Sequence, residues 1–290
     1  MAVTVIAEVG ECFNGDMNTA YKMIHEAKIA GCDVVKFQLL DINEVAENDP
    51  EYDWFYKLYL PLEKIQKLID CAKENEIEIL FTPVSVKTAQ DLVDAGQTTV
   101  KIASSFIRKT ELIEYINENF KRVYVSTGMA ELDEIQQVMD TLAKPEEVIL
   151  MHCVSEYPTG PLLEQRGLCA LDEADVHLNM MLMLKALYPR LKVGYSDHTD
   201  DIWASVTAAA MGADVLEKHI TLDRETPIHN YENGLEYMGT DHVLSIEPKQ
   251  LREMVTAVRR VEKIKGQWKW ERSQGEKILA EFLRGRYTQR

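Results

Sequence analysis

Leu191-Lys-Val-Gly-Tyr-Ser-Asp-His198, followed after a helical segment by Ala213-Asp-Val-Leu-Glu-Lys-His219, decides the fold. Each stretch is a short apolar run that ends in polar groups. Two such runs joined through a helix over 202–211 read as consecutive parallel strands, because a parallel pair needs a crossover and a helix is the usual one. Neighbouring strands lie ~4.8 Å apart, so His198 and His219 can converge on one point with Glu217 beside them.

The same unit repeats on either side. Strand-like runs at 3–9, 32–38, 77–82, 99–103, 122–126, 148–153, 191–195 and 213–219 alternate with amphipathic windows. Ala20, Met23, Ile24 and Ala27 mark the first helix, with Gly31 ending it. Thr110 is expected to cap the helix that runs to Asn119, and the last helix runs over 247–264. Residues 39–59 are irregular and rich in aromatics, as expected of an enlarged loop over a site. The Met-rich helix over 176–187 reads as core packing. Eight strand–helix units without a composition break predict a single-domain (β/α)₈ TIM barrel over 1–266, with a tail at 267–290.

With 46% hydrophobic and 28% charged residues, the composition is that of an ordinary globular chain, with no apolar run of the ~20 residues a bilayer demands. The opening residues lack a signal-peptide pattern, so a cytoplasmic location is expected. Five cysteines without paired spacing fit free thiols. A net charge of −16 argues against nucleic acid and anionic membranes as partners.

Residues two apart on a strand share a face. One parity therefore carries Glu8, Lys36 with Gln38, Lys101, Ser126, Ser196 with His198, and Glu217 with His219 at the strand ends, where barrels hold their sites. Lys36 and Lys101 either snorkel to solvent or hold an anion between them, since two lysines in apolar runs otherwise repel. Thr82, Ser104, Ser126 and Ser196 supply hydroxyls suited to phosphate oxygens. His198 and His219 read either as hydrogen-bonded structural histidines or as two ligands of a divalent metal with open positions for water and substrate. Glu8, Glu217 and Asp241 are the carboxylates within reach. Cys12 is a candidate third ligand, and His152 with Cys153 an alternative metal pair.

In order along the chain stand Ile6-Ala-Glu-Val-Gly10, Asn14-Gly15, Val35-Lys-Phe-Gln38, Thr82-Pro83, Lys101-Ile-Ala-Ser104 and Ser126-Thr-Gly-Met129. His152-Cys with Ser155-Glu-Tyr-Pro158, Gly194-Tyr-Ser-Asp-His-Thr199, Glu217-Lys-His219 and Asp241-His242 with Ser245-Ile-Glu-Pro248 follow. This series, from about residue 3 to 266, resembles the sialic acid synthases, a family that includes N-acetylneuraminate, legionaminate and pseudaminate synthases and spore-coat polysaccharide proteins. The resemblance implies a barrel that condenses phosphoenolpyruvate with an open-chain N-acyl amino sugar, or a related aldose. The product would be a 2-keto-3-deoxy sugar acid, with phosphate lost by C–O cleavage. It implies that His198 and His219 hold Mn²⁺ or another divalent metal, and that Lys36, Thr82, Lys101, Ser104, Ser126 and Ser196 hold phosphoenolpyruvate. Glu8, Gln38, Tyr157 and Asp241 would face the sugar and attacking water, and Glu217 would support the metal.

The departures fall on the expected sugar side. Cys12-Phe13 replaces the family's Asn-His, Ser105-Phe106 replaces Gly and an acidic residue, Ser155 stands where some synthases carry Asn, and the 227–239 loop is longer. Family members continue into an antifreeze-like domain that, in a homodimer, caps the partner's barrel, whereas this sequence stops at Arg290. The expectation is therefore an altered acceptor, with the aromatics of 52–59 and the tail carrying Trp268 and Trp270 as a replacement lid. The alternative is a non-catalytic or partner-dependent barrel that binds metal and anion and needs a separate capping protein. A pyruvate aldolase working through a lysine Schiff base is the third reading.

Overall fold

The computed structural model describes residues 2–48, 52–156, 171, 173–227, 229–230, 236–237 and 239–287. Eight parallel strands form the barrel: β1 Thr4–Glu8, β2 Val34–Leu39, β3 Glu78–Pro83, β4 Thr99–Ile102, β5 Arg122–Ser126, β6 Glu147–Cys153, β7 Lys192–Asp197 and β8 Val215–His219. Their order is β3-β2-β1-β8-β7-β6-β5-β4, and β3 packs beside β4 to bring the ends together. This is the expected (β/α)₈ architecture.

Alternation along each strand builds two cores. Outward residues such as Val5, Ala7, Val35, Phe37 and Phe81 pack beneath the helices. Inward residues Ile6, Val34, Leu80, Tyr124, Ile149, Met151 and Val215 plug the barrel. Register carries this pattern upward: Ile6 pairs with Val34 and Glu217, and two residues on Glu8 pairs with Lys36 and His219. The apolar plug is thus roofed by ionisable groups facing inward at the strand C-termini. Gly194 belongs to the plug, where a Cβ would lie 2.4 Å from the Val215 carbonyl oxygen.

The helices form where capping and apolar spacing agree. Asp16 accepts from the Asn18 and Thr19 amides to start Met17–Ala30, and Gly31 ends it at φ 87°. Three expectations need correction. Thr110 is the first helical residue and Lys109 the cap, without a side-chain cap bond. The Met-rich helix spans Asn179–Leu187 and buries Met181 and Leu184, while Met180 and Met183 stay exposed, so core packing accounts for only part of its Met stripe. Within residues 39–59 lie a short 3₁₀ turn, Ile42–Glu44, and a helix, Tyr52–Leu58.

The tail does not roof the barrel mouth of its own chain. The helix Pro248–Lys265 ends against the start of β1, where Arg259 Nη1 donates to the Val3 carbonyl at 2.6 Å and the Val3 amide donates to Glu262 at 2.5 Å. The chain therefore leaves the barrel from the face opposite the strand C-termini. Trp268 and Trp270 are fully exposed, and the helix Gln274–Tyr287 exposes Ile278, Leu279, Phe282 and Leu283. A lid formed by this tail over its own chain's site is ruled out by that direction. Among the described residues no helix is long and apolar enough to cross a membrane.

Candidate active site

At the mouth, β1, β2, β4, β7 and β8 bring together a buried ionic cluster. Glu217 accepts from Lys101 Nζ through both oxygens at 2.9 Å, from Lys36 Nζ at 3.0 Å and from Ser196 Oγ at 2.9 Å. Lys36 also ion-pairs with Glu8 at 2.5 Å, and the other Glu8 oxygen accepts from the Gly10 amide at 2.7 Å. Burial alone would raise the Glu217 carboxyl, but Lys101 and Lys36 outweigh it and hold the group well below the usual carboxylate range. Lys36 is pulled down to about 7 by burial, against the opposing pull of Glu217. The lysines are buried and do not snorkel, and the anion between them is Glu217 itself, turned toward them rather than toward the histidines.

Hydroxyls surround the cluster. Ser126 and Thr82 are buried, and Thr82 Oγ1 has no hydrogen-bond partner among the described residues. Ser104 sits at the rim, 2.7 Å from the Ser155 hydroxyl. Tyr157 lies outside the described residues.

His198 and His219 stand one strand apart, with ring centroids 5.3 Å from each other and planes inclined at 56°. His198 Nδ1 lies 2.9 Å from the Val154 carbonyl, which can only accept, so Nδ1 carries the proton and Nε2 the lone pair. Burial lowers His198 to about 4 and His219 well below its usual value, so both are neutral near pH 7. His219 Nδ1 is buried without a hydrogen-bond partner among the described residues, 3.8 Å from Asp241 Oδ2. Two neutral imidazoles with an orphaned nitrogen fit a divalent ion. No group of three or more His, Cys, Asp or Glu is arranged to ligate one among the described residues, so water and substrate would complete the coordination. His152 is elsewhere engaged, 2.9 Å from the Val176 carbonyl and stacked on Tyr195. Cys12 contacts the Ser245 hydroxyl, and burial pushes its thiol well up, which disfavours the thiolate a metal requires.

Beside the histidines, Gly10, Glu11, Phe13, Gln38, Phe55 and Asp241 are among the residues lining a cavity of about 210 Å³. Asp241 leans over Gly10, where a Cβ would lie 2.2 Å from its carboxylate. Glu11 accepts from the Asp241 amide at 3.1 Å and from Trp54 Nε1 at 3.4 Å. The aromatic segment thus reaches the mouth, as expected. Burial and the neighbouring Asp241 raise Glu11 to about 8, and burial raises Asp241 to about 6. Glu11 escaped the sequence reading; the available signal was an acidic residue directly after Glu8-Val-Gly10, at the end of an inward-facing strand. Phe13 packs edge-on against Phe37 with centroids 6.0 Å apart, joining the cavity wall to the core. A second cavity of about 680 Å³ lies beside the β5 and β6 ends, lined in part by Met129, Leu132, Cys153, Ser155, Met180 and Met183.

A profile of the NeuB family matches residues 23–270. An uncharacterized protein of Methanocaldococcus jannaschii is 35% identical over 94% of this chain and 73% of its own length. The N,N'-diacetyllegionaminic acid synthase of Campylobacter jejuni is 34% identical over 90% of this chain and 77% of its own. Among solved structures, the N-acetylneuraminic acid synthetase of Leptospira borgpetersenii in complex with citrate superposes with a TM-score of 0.84 at 30% identity, covering 100% of this chain and 94% of that one.

Proposed function

The chain belongs to the NeuB family, as a sialic acid synthase-like transferase, and we propose that it condenses phosphoenolpyruvate with an open-chain N-acyl amino sugar or related aldose. The product is a 2-keto-3-deoxy sugar acid, with release of phosphate. The observation that carries this reading is the pairing of an anion cradle with a histidine pair: Lys36, Lys101 and Ser196 converge on one carboxylate, two residues along the same strand face from neutral imidazoles.

In the reaction, C3 of phosphoenolpyruvate bonds to the aldehyde carbon, a water oxygen adds at C2, and the C2–O bond to phosphate breaks. Lys36 and Lys101, with Ser196, Ser126, Thr82 and Ser104, hold the phosphate and carboxylate of phosphoenolpyruvate once Glu217 shares its lysines with them. Fixed charges in a water-poor pocket stabilise the developing anions without reorganising. Glu8, anchored by the Gly10 amide and Lys36, orients the water and accepts its proton. Glu11, raised to about 8, retains a proton near neutrality for the new hydroxyl, while Asp241, raised only to about 6, faces the sugar mostly as a carboxylate, and Gln38 lines the same cavity. A divalent ion such as Mn²⁺, held by His198 and His219, would polarise the sugar aldehyde.

One observation favours the second reading, a barrel that needs a partner for turnover: Glu217 and Glu8 together already pair with both lysines. Phosphate release from phosphoenolpyruvate with Mn²⁺, against a panel of open-chain hexosamines and aldoses with and without chelator, separates the two. A synthase releases phosphate with at least one acceptor and stops on chelation. No release from folded, metal-loaded protein with any acceptor overturns the proposal.

A further inference from the structure

Behind the histidines lies a second buried ion pair that the proposed chemistry does not use. Alternation sends Asp197 and Lys218 to the opposite face from Ser196, His198, Glu217 and His219, out of the barrel and toward the helix Trp203–Met211. Both side chains are completely buried, with Lys218 Nζ 3.3 Å from Asp197 Oδ1. Asp197 accepts from the Thr199 amide at 2.9 Å, Thr199 Oγ1 at 2.7 Å, Tyr195 OH at 3.3 Å and Ser205 Oγ at 2.6 Å. Lys218 donates to the Thr199 carbonyl.

Desolvating a charge pair is expensive, and apolar side chains of similar volume often hold such a position as well or better. Stability alone therefore does not account for it. Its geometry does: the residues on both sides of His198 are tied to Lys218, the residue that precedes His219. With the His198 ring already held on the Val154 carbonyl, the network leaves the two imidazoles little freedom relative to each other. We propose that Asp197 and Lys218 are positioning residues that set the spacing and tilt at which His198 and His219 meet a divalent cation, an inference that rests on the metal reading of that pair.

The test is the double variant Asp197→Asn/Lys218→Met, which removes both charges and leaves neither partner ionised alone. Free Mn²⁺ counted by electron paramagnetic resonance gives affinity, and ¹⁵N NMR of the histidine rings without metal gives the tautomer of His198. The expected result is a folded protein whose Mn²⁺ affinity drops about 10–100-fold and whose His198 signals show mixed tautomers. Val123→Ala, a core change in β5, should lower stability and leave both readouts unchanged. Should the double variant fail to fold, Thr199→Val and Ser205→Ala each remove one Asp197 bond and should lower affinity several-fold. Wild-type affinity and wild-type ring signals in the variants would overturn the proposal while leaving the metal reading standing. Wild-type protein that binds no Mn²⁺ would overturn the metal reading, and the ring signals alone would then show whether the pair orients the histidines.

Discussion

Lys101 is only 1% exposed, and both of its close contacts are to Glu217, so removing it touches the anion cradle and leaves the histidines in place. Lys101→Ala should weaken phosphoenolpyruvate binding roughly 10–100-fold, the worth of a charge-assisted hydrogen bond, with Mn²⁺ affinity unchanged. His198→Ala should do the reverse and abolish Mn²⁺ binding. Titration calorimetry with each ligand separately checks both; parallel losses in one variant would contradict the division of the site. Glu11 makes a prediction with a sign. Its carboxyl is raised from 4.5 to about 8, so between those values the folded state keeps a proton that the unfolded state has released. Glu11 therefore subtracts stability as pH rises through that window. Melting curves should show Glu11→Gln gaining on the wild type from pH 5 to pH 8, whereas a constant difference would place the proton elsewhere. At this scale residue type and strand parity were readable in the sequence. The direction in which Glu217 turns was not, because two lysines and two histidines compete for one carboxylate and only their three-dimensional spacing decides.

Strands were more legible than helices because the barrel imposes alternation on every one of them. The apolar plug and its ionic roof follow from period two alone, and the one boundary that mattered, the extension of β7 to Asp197, moves no side chain to the wrong face. The short helices Tyr52–Leu58 and Thr240–Leu244 were missed, since five to seven residues carry too little periodicity to be told from a loop. The helix Gln274–Tyr287 was missed for another reason: its apolar residues face solvent, so no core demanded it. The close approach of β1 to the helix Thr240–Leu244 depends on Gly10, at φ +53° with Asp241 against it. Gly10→Ala should cost about 1–2 kcal/mol from the left-handed backbone alone and push Asp241 off the site. The melting temperature should fall by roughly 2–8 °C, and the acceptor KM should rise more than that for phosphoenolpyruvate. An unchanged acceptor KM would show that Asp241 does not serve the sugar.

Across the whole molecule, charge and architecture pull apart usefully. A net charge of −16 surrounds a mouth that gathers two buried lysines, so anion binding here is local, built by strand register against the sign of the surface. The tail, which leaves from the far face, carries its own exposed apolar residues. Removing 274–290 should leave the melting temperature within about 2 °C, checked by calorimetry; a larger fall would reveal contacts between the tail and the barrel. The fold class was legible in the sequence because eight units repeat. The path of the tail was not, because a lid and a solvent-facing helix have the same composition.

The proposed reaction forms a carbon–carbon bond with phosphoenolpyruvate as the nucleophile and cleaves its C–O bond. Phosphoenolpyruvate labelled with ¹⁸O in the bridging position, incubated with Mn²⁺ and the acceptor that supports turnover, tests it by mass spectrometry of the phosphate and the keto acid. The label should leave entirely with phosphate, and the keto oxygen should come from water. Label retained in the organic product, or phosphate released without any lengthened keto acid, would contradict it.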